Sequence, residues 1–261
     1  MKQEFTRIAV KVGSNVLARR DGTLDVTRMS ALVDQIAELN KSGVEIILIS
    51  SGAVASGRSE IHPQKKLDSV DQRQLFSAVG QAKLINRYYE LFREHGIAVG
   101  QVLTTKENFS TRRHYLNQKN CMTVMLENGV IPIVNENDTV AIDELELEVG
   151  ENDSLAANVA TIANADLLVI MSDIDGLYDK DPHVHEDARL IPEVGRITDD
   201  IRDLAGGAGS ALGTGGMATK IKAVEIAHAA DIDVVLMNGK NPRKLYDLFE
   251  DKPVGTIFAK Q

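Results

Sequence analysis

One cysteine stands in 261 residues, so no internal disulfide framework can hold this chain together. Cys121 is expected in the core of a protein from a reducing compartment. Long apolar runs are missing too. No stretch of 18 apolar residues occurs, which leaves no sequence for a helical membrane span, and the opening MKQEFTR lacks the apolar segment of a secretory signal. Positive charge is short: 29 Lys and Arg against 38 Asp and Glu give a net −9. That is the wrong balance for a main ligand with a nucleic acid backbone. Internal repeats, low-complexity tracts and clear linkers do not occur. The expectation is a cytoplasmic protein without membrane or nucleic acid partners. With 43% hydrophobic residues, residues 1–261 read as a single domain around a substantial core.

What the chain does have is a glycine-rich strip, GGAGSALGTGGMATK, at 206–220. Free backbone N–H groups ahead of a helix make an anion cradle, and helical spacing predicts a helix from Met217 with Lys220 in its first turn. The alternative is a surface loop before an amphipathic helix. The strip is not a Walker A loop, because Gly-Lys-Ser/Thr is missing. Gly213, Gly215 and Ala218 match G-x-G-x-x-A, which keeps a nicotinamide-dependent oxidoreductase open, although no strand precedes them.

Apolar runs at Ile8–Val12, Val44–Ser50, Val130–Val134 and Leu167–Met171 predict buried strands, and Ile97–Leu103 and Val234–Met237 predict further strands. Between them fall helical patterns. One is capped by Thr27 and ended by Gly43, one covers Gln72–His95, and one is capped by Ser110 and ended by Gly129. Others cover Ser154–Asn164, Met217–Ala230 and Asn241–Glu250. Glu144–Val149 alternates as a solvent-facing hairpin, and Gly255–Ala259 reads as a closing edge strand. The alternation predicts an α/β fold, a three-layer αβα sandwich around a largely parallel central sheet.

Polar residues gather directly after several strands, where open α/β sheets bind ligands. Lys11 ends the first strand and is followed by a turn, Gly13-Ser14-Asn15. It either snorkels to an edge or meets an anion. Ser51-Gly52-Ala53 follow the second strand, Asn135–Asp138 the fourth and Ser172-Asp173 the fifth. Asn152 and Asp153 precede a helix, and Asp153 is either only its cap or more than that. His183 and His185 sit in an acidic stretch that reads as a solvated loop. None of the strand ends carries a histidine, so Ser/His/Asp hydrolysis is poorly supported, and no Cys/His metal cluster exists. Two lysines with backbone amides are what phosphoryl transfer requires, since that chemistry is mostly positioning and charge neutralisation. A carboxylate acceptor, ionised at pH 7, needs no general base.

These residues resemble the amino acid kinase family over essentially the whole chain. The matching blocks are VKVGSNVL at 10–17, SSGAVASG at 50–57, VNENDTV at 134–140, VGENDSLAA at 149–157, MSDIDGLY at 171–178 and GTGGMATK at 213–220. The two N-D blocks are similar to the branch that phosphorylates the γ-carboxylate of L-glutamate. Aspartate, acetylglutamate and uridylate kinases are the nearest rivals, and a silent nucleotide sensor on the same fold is another. The resemblance implies that Lys11 and Lys220 flank the transferred phosphoryl group, with Asp153 orienting them. Ser51, Gly52, Asp138 and Asn152 would hold glutamate, Asp138 meeting its ammonium. Lys11, Gly13, Ser14, Ser172, Asp173, Thr214, Gly215, Gly216, Met217, Ala218, Thr219 and Lys220 would line the ATP site. Mg²⁺ would come in on the ATP phosphates rather than in a protein cage. The product would be γ-glutamyl phosphate, the first intermediate of proline synthesis, passed to glutamyl-phosphate reductase. Feedback inhibition by proline and assembly as a homodimer or tetramer are implied in the same way. Many members carry a C-terminal PUA domain; this chain stops after GTIFAK and is expected to have none.

Overall fold

The computed structural model describes residues 5–19, 21–141, 151–182, 184–206 and 216–260. The expected hairpin at 144–149, His183, and residues 207–215 of the glycine strip, Thr214 and Gly215 among them, lie outside the described residues. The chain opens with β1 (Arg7–Val12), a one-turn helix α1 (Ser14–Leu17) where a turn was expected, α2 (Val26–Lys41), β2 (Glu45–Ser50) and α3 (Ala53–Arg58). Next come α4 (Ser69–Glu94), β3 (Ala98–Thr104), α5 (Glu107–Ser110), α6 (Arg112–Glu127) and β4 (Val130–Glu136). The second half contains α7 (Glu151–Ile162), β5 (Leu167–Ser172), β6 (Glu193–Val194) and α8 (Asp199–Gly206). It closes with α9 (Gly216–Ala229), β7 (Asp233–Asn238), α10 (Arg243–Phe249) and β8 (Gly255–Phe258).

The strands form one sheet in the order β3-β4-β2-β1-β5-β7-β8-β6. All neighbours from β3 to β7 pair in parallel, and β8 runs antiparallel to β7. β8 is therefore an inner strand, and the expected edge position belongs to the two-residue β6, too short for any periodicity to reveal. Alternation along each strand feeds two cores. Ile8, Val10 and Val12 of β1 join Met29, Leu32 and Ile36 of α2 on one face. Ala9 joins Ala156, Val159 and Ala160 of α7 and Ala223, Val224 and Ala227 of α9 on the other. Lys11 has the parity of Ala9, so the pleat aims it at α7 and α9.

Two boundary expectations and one burial expectation are corrected. Asp25, whose side chain accepts from Arg28 N–H, caps α2, because Thr27 is already in the first turn. Thr111 caps α6, and Ser110 instead ends α5. Cys121 is exposed, because α6 turns the neighbouring Met122 inward. The cap of α3 has no side-chain substitute: Gly52 sits at φ +110°, a conformation that favours glycine.

Candidate active site

The chain reverses its direction of growth beside β1. From β1 it builds through β2, β3 and β4 on one side, then crosses to β5 on the other. In parallel sheets such a switch point leaves a crevice at the carboxyl ends. Here that crevice is a cavity of about 730 Å³. Strand by strand, β4 contributes Asn135 and Glu136 with Asp138 just beyond it, β2 leads into Ser51 and Gly52, β1 supplies Lys11 and Gly13, and β5 ends in Ser172 and Asp173.

At the middle of the row lies a buried charge triad. Lys11 Nζ is 2.5 Å from Asp153 Oδ1, and Lys220 Nζ is 3.1 Å from Asp153 Oδ2. Thr219 Oγ1 also donates to Asp153 Oδ2 at 3.2 Å, and Lys220 Nζ donates to the Gly216 carbonyl at 2.9 Å. The small residues on α7 and α9 let the two helices pack closely, which places Asp153 against Lys220. Asp153 is 2% exposed. It is the third residue of α7, not its cap, because the helix starts at Glu151. Burial alone would push its carboxyl up, but the Lys11 and Lys220 ammoniums beside it hold it below the ordinary aspartate value. Two lysines against one aspartate leave the triad with one positive charge in excess. The N-terminal turns of α7 and α9 face the same cavity and add their dipoles to it. The centre of this site is built for an anion.

On the β5 side, Asp173 accepts from Asn15 Nδ2 at 3.1 Å and from Ser172 Oγ at 3.2 Å. Partial burial raises its carboxyl. Its backbone N–H, these two side chains and the charge of Lys240 outweigh that and lower it. Gly13 N–H donates to the Met171 carbonyl at 3.0 Å, tying the β1 turn to β5. Gly216, Thr219 and Lys220 line the cavity, whereas Met217 and Ala218 do not. Helical geometry accounts for the split: positions i, i+3 and i+4 share a face. Met217 packs on the core and Ala218 is exposed.

On the β2–β4 side, Asn152 Nδ2 donates to Ser51 Oγ at 2.9 Å, and Asn152 Oδ1 is buried with no hydrogen-bond partner among the described residues. Beneath them the buried Tyr88 hydroxyl bonds Ser50 Oγ at 2.9 Å, and Ser50 Oγ donates to the Ser51 carbonyl at 3.1 Å. Burial pushes the Tyr88 phenol up, against the opposing pull of the Ser50 bond, so this brace stays neutral. Asn135 Nδ2 donates to Gln81 Oε1 at 2.8 Å. Asp138 and Glu136 both meet Arg73 of α4. Arg73 and Arg58 were not anticipated. Each sits in an ordinary polar pattern, with nothing local to mark it, and only the packing of α3 and α4 brings them to the cavity.

The amino acid kinase family model matches residues 6–238. A glutamate 5-kinase from Bacteroides thetaiotaomicron is 69% identical over 98% of this chain and 70% of that protein. A glutamate 5-kinase from Clostridium perfringens is 42% identical over 98% of this chain and 96% of its own length. Among solved structures, a UMP kinase from Ureaplasma parvum superposes with a TM-score of 0.67, covering 99% of this chain and 100% of that one. At 15% identity it speaks to the fold alone.

Proposed function

The chain belongs to the amino acid kinase family and, within it, to the glutamate 5-kinases, and from that premise we propose how its cleft works. The reaction is ATP-dependent phosphorylation of L-glutamate on its γ-carboxylate, giving γ-glutamyl phosphate and ADP for proline biosynthesis. ATP lies on the β5–α9 side, against Ser172, Asp173, Gly216 and Thr219, with Gly13 and Ser14 below its phosphates. Glutamate lies on the β2–β4 side, between Ser51, Gly52, Asn152 and Asp138. The observation that carries this arrangement is the triad of Lys11, Asp153 and Lys220, set between the two halves with its net positive charge.

An oxygen of the ionised γ-carboxylate attacks the γ-phosphorus in line. The new P–O bond forms as the bond to the β-phosphate bridging oxygen breaks, and that oxygen leaves on ADP. No proton moves, so no base is required. Lys11 and Lys220 offset the charge on the transferring group, and Asp153 keeps the two ammoniums from drifting apart. Mg²⁺ belongs to the same reading. Among the described residues no group of three or more His, Cys, Asp or Glu could cage a metal. Mg²⁺ would arrive on the nucleotide phosphates with most of its waters and would neutralise charge there. No described helix is long and apolar enough to cross a membrane; a cytoplasmic location belongs to the same proposal. An acyl phosphate is short-lived in water, which fits transfer to glutamyl-phosphate reductase, and a homodimer or tetramer completes the reading.

A panel of acceptors with Mg-ATP tests it. L-Glutamate should support ADP formation far better than aspartate, N-acetylglutamate or UMP. N-Acetylglutamate offers Asp138 a neutral amide in place of an ammonium, and a neutral contact with a carboxylate is weaker than a charge-assisted one. Equal rates with N-acetylglutamate would overturn the glutamate assignment. Proline presents an ammonium beside a carboxylate, as the glutamate α-carbon does, and should compete at the same end. Rates at subsaturating glutamate are expected to fall with added proline and to recover at saturating glutamate. Rates that ignore proline would remove this regulation from the proposal.

A further inference from the structure

Arg73 takes no part in the phosphoryl transfer just described, yet it stands in the cavity wall. Its Nε donates to Asp138 Oδ1 at 2.9 Å. Its Nη2 lies 2.8 Å from the same oxygen and 3.2 Å from Glu136 Oε2. The Glu136 and Asp138 side chains are 6% and 9% exposed, whereas Arg73 is 37% exposed. Two buried carboxylates therefore back a cation whose outer part faces the open space. An amino acid places an ammonium and a carboxylate on one carbon atom. A pocket with acids alone would attract the first and repel the second.

We propose that Arg73 reads the α-carboxylate of the amino acid acceptor. The proposal deepens the glutamate reading and rests on it. The substrate ammonium settles on Asp138. Arg73 keeps its hold on Glu136 and turns part of its guanidinium to the substrate's α-carboxylate, so that each buried charge has an opposite partner. A planar fork of several N–H donors can serve two carboxylates at once, which a single ammonium does less well. Like Asp138, Arg73 lies away from the triad. β4 is separated from β1 by β2, two strand spacings or about 10 Å, so Arg73 sets which molecule is held and leaves the transfer itself to the triad.

The competing role for Arg73 is to brace Asp138 and nothing more. Isoglutamine, the α-carboxamide of glutamate, separates the two. It keeps the ammonium and the γ-carboxylate and lacks only the α-carboxylate charge. The experiment measures kcat and KM for glutamate and for isoglutamine in the parent, in Arg73→Gln and in Arg73→Lys, with Mg-ATP saturating and thermal melts alongside. The parent should prefer glutamate. Arg73→Gln should raise KM for glutamate about 10- to 100-fold, the usual loss for a charge-assisted pair, with a smaller change in kcat. It should leave KM for isoglutamine nearly unmoved, so that the preference collapses. Arg73→Lys keeps the charge beside the buried acids and should show an intermediate preference, which preserves the test if the glutamine variant folds poorly. If both acceptors lose equally in the variants, Arg73 is only a brace and the proposal is wrong. A parent that does not distinguish the two acceptors overturns it as well. A parent inactive on glutamate but active on another acceptor removes the glutamate reading, and the proposal with it.

Discussion

Asp153→Asn is expected to lower kcat by about 10²- to 10³-fold, the range for losing one preorganised electrostatic element. The glutamate KM should move much less. Asp153 is the sole carboxylate of the triad, and its two oxygens divide between Lys11 and Lys220. An amide of the same shape can accept from one lysine but cannot neutralise either. The two ammoniums then repel each other, and the transferring phosphoryl group meets misplaced charge. The same change should destabilise the free protein by about 3 kcal/mol, since it breaks a buried ion pair from one side. Mg-ATP should restore more melting temperature to the variant than to the parent, because the triphosphate supplies the missing counter-charge. The sign of the pH effect follows from the lowered carboxyl. Its contribution to stability is complete above the ordinary aspartate value of about 3.9. It is lost as pH falls below that, through the folded value. Asp153→Asn should flatten that acid limb of the stability curve. Full kcat in the variant would reduce Asp153 to a structural residue.

Gly80→Ala should be nearly as damaging, though the residue touches no ligand. α3 and α4 cross at Gly57 and Gly80. A methyl on Gly80 would lie 1.7 Å from the Ala53 carbonyl oxygen and 2.4 Å from the Gly57 nitrogen. Both neighbours are backbone and cannot rotate away, so the helices must part. Overpacking of this kind costs about 3 kcal/mol or more. Ala53 opens α3 in the cavity wall, and Arg73 rides on α4. Parting the helices therefore also displaces the acceptor end of the site. We expect a lower melting temperature together with a raised glutamate KM, and an ATP KM changed less. Gly195→Ala, where a methyl would meet nothing within 4 Å, serves as the control and should melt with the parent. A Gly80→Ala protein as stable as that control would refute the close-crossing account.

The parallel core could be read from the sequence because its strands are short runs of Val, Ile and Leu with abrupt polar ends. Burial on both faces leaves little room for anything else. The triad was partly legible for the same reason. A lysine that ends an apolar strand and another that opens a helix are costly unless something pairs them. What pairs them was less clear, since an aspartate near a helix start looks like a cap until the helix is seen to begin at Glu151. β6 has two residues and no pattern to detect. Arg73 was out of reach for a different reason. It is one of 29 basic residues, on the polar side of a 26-residue helix, and its meaning comes from residues more than 60 positions away. Cys121 was misplaced because composition says only that cysteines tend to be buried. Helical phase turns this one outward.

The position of β2 between β4 and β1 makes the sheet a ruler. The hydrogen-bonded spacing between strands is nearly constant, about 4.8 Å, and no side-chain change will compress it. On the proposed placement, the acceptor is gripped beyond β4 and must deliver its distal carboxylate to the end of β1. Aspartate is one carbon–carbon bond, roughly 1.5 Å, too short to do both, and misplacement of about an ångström can cost 100-fold in rate. Rejection of the shorter homologue is then written into the backbone rather than into any pocket wall. To accept it, the protein would have to lengthen the side chains at the two ends of the scale, leaving the scale itself as it is.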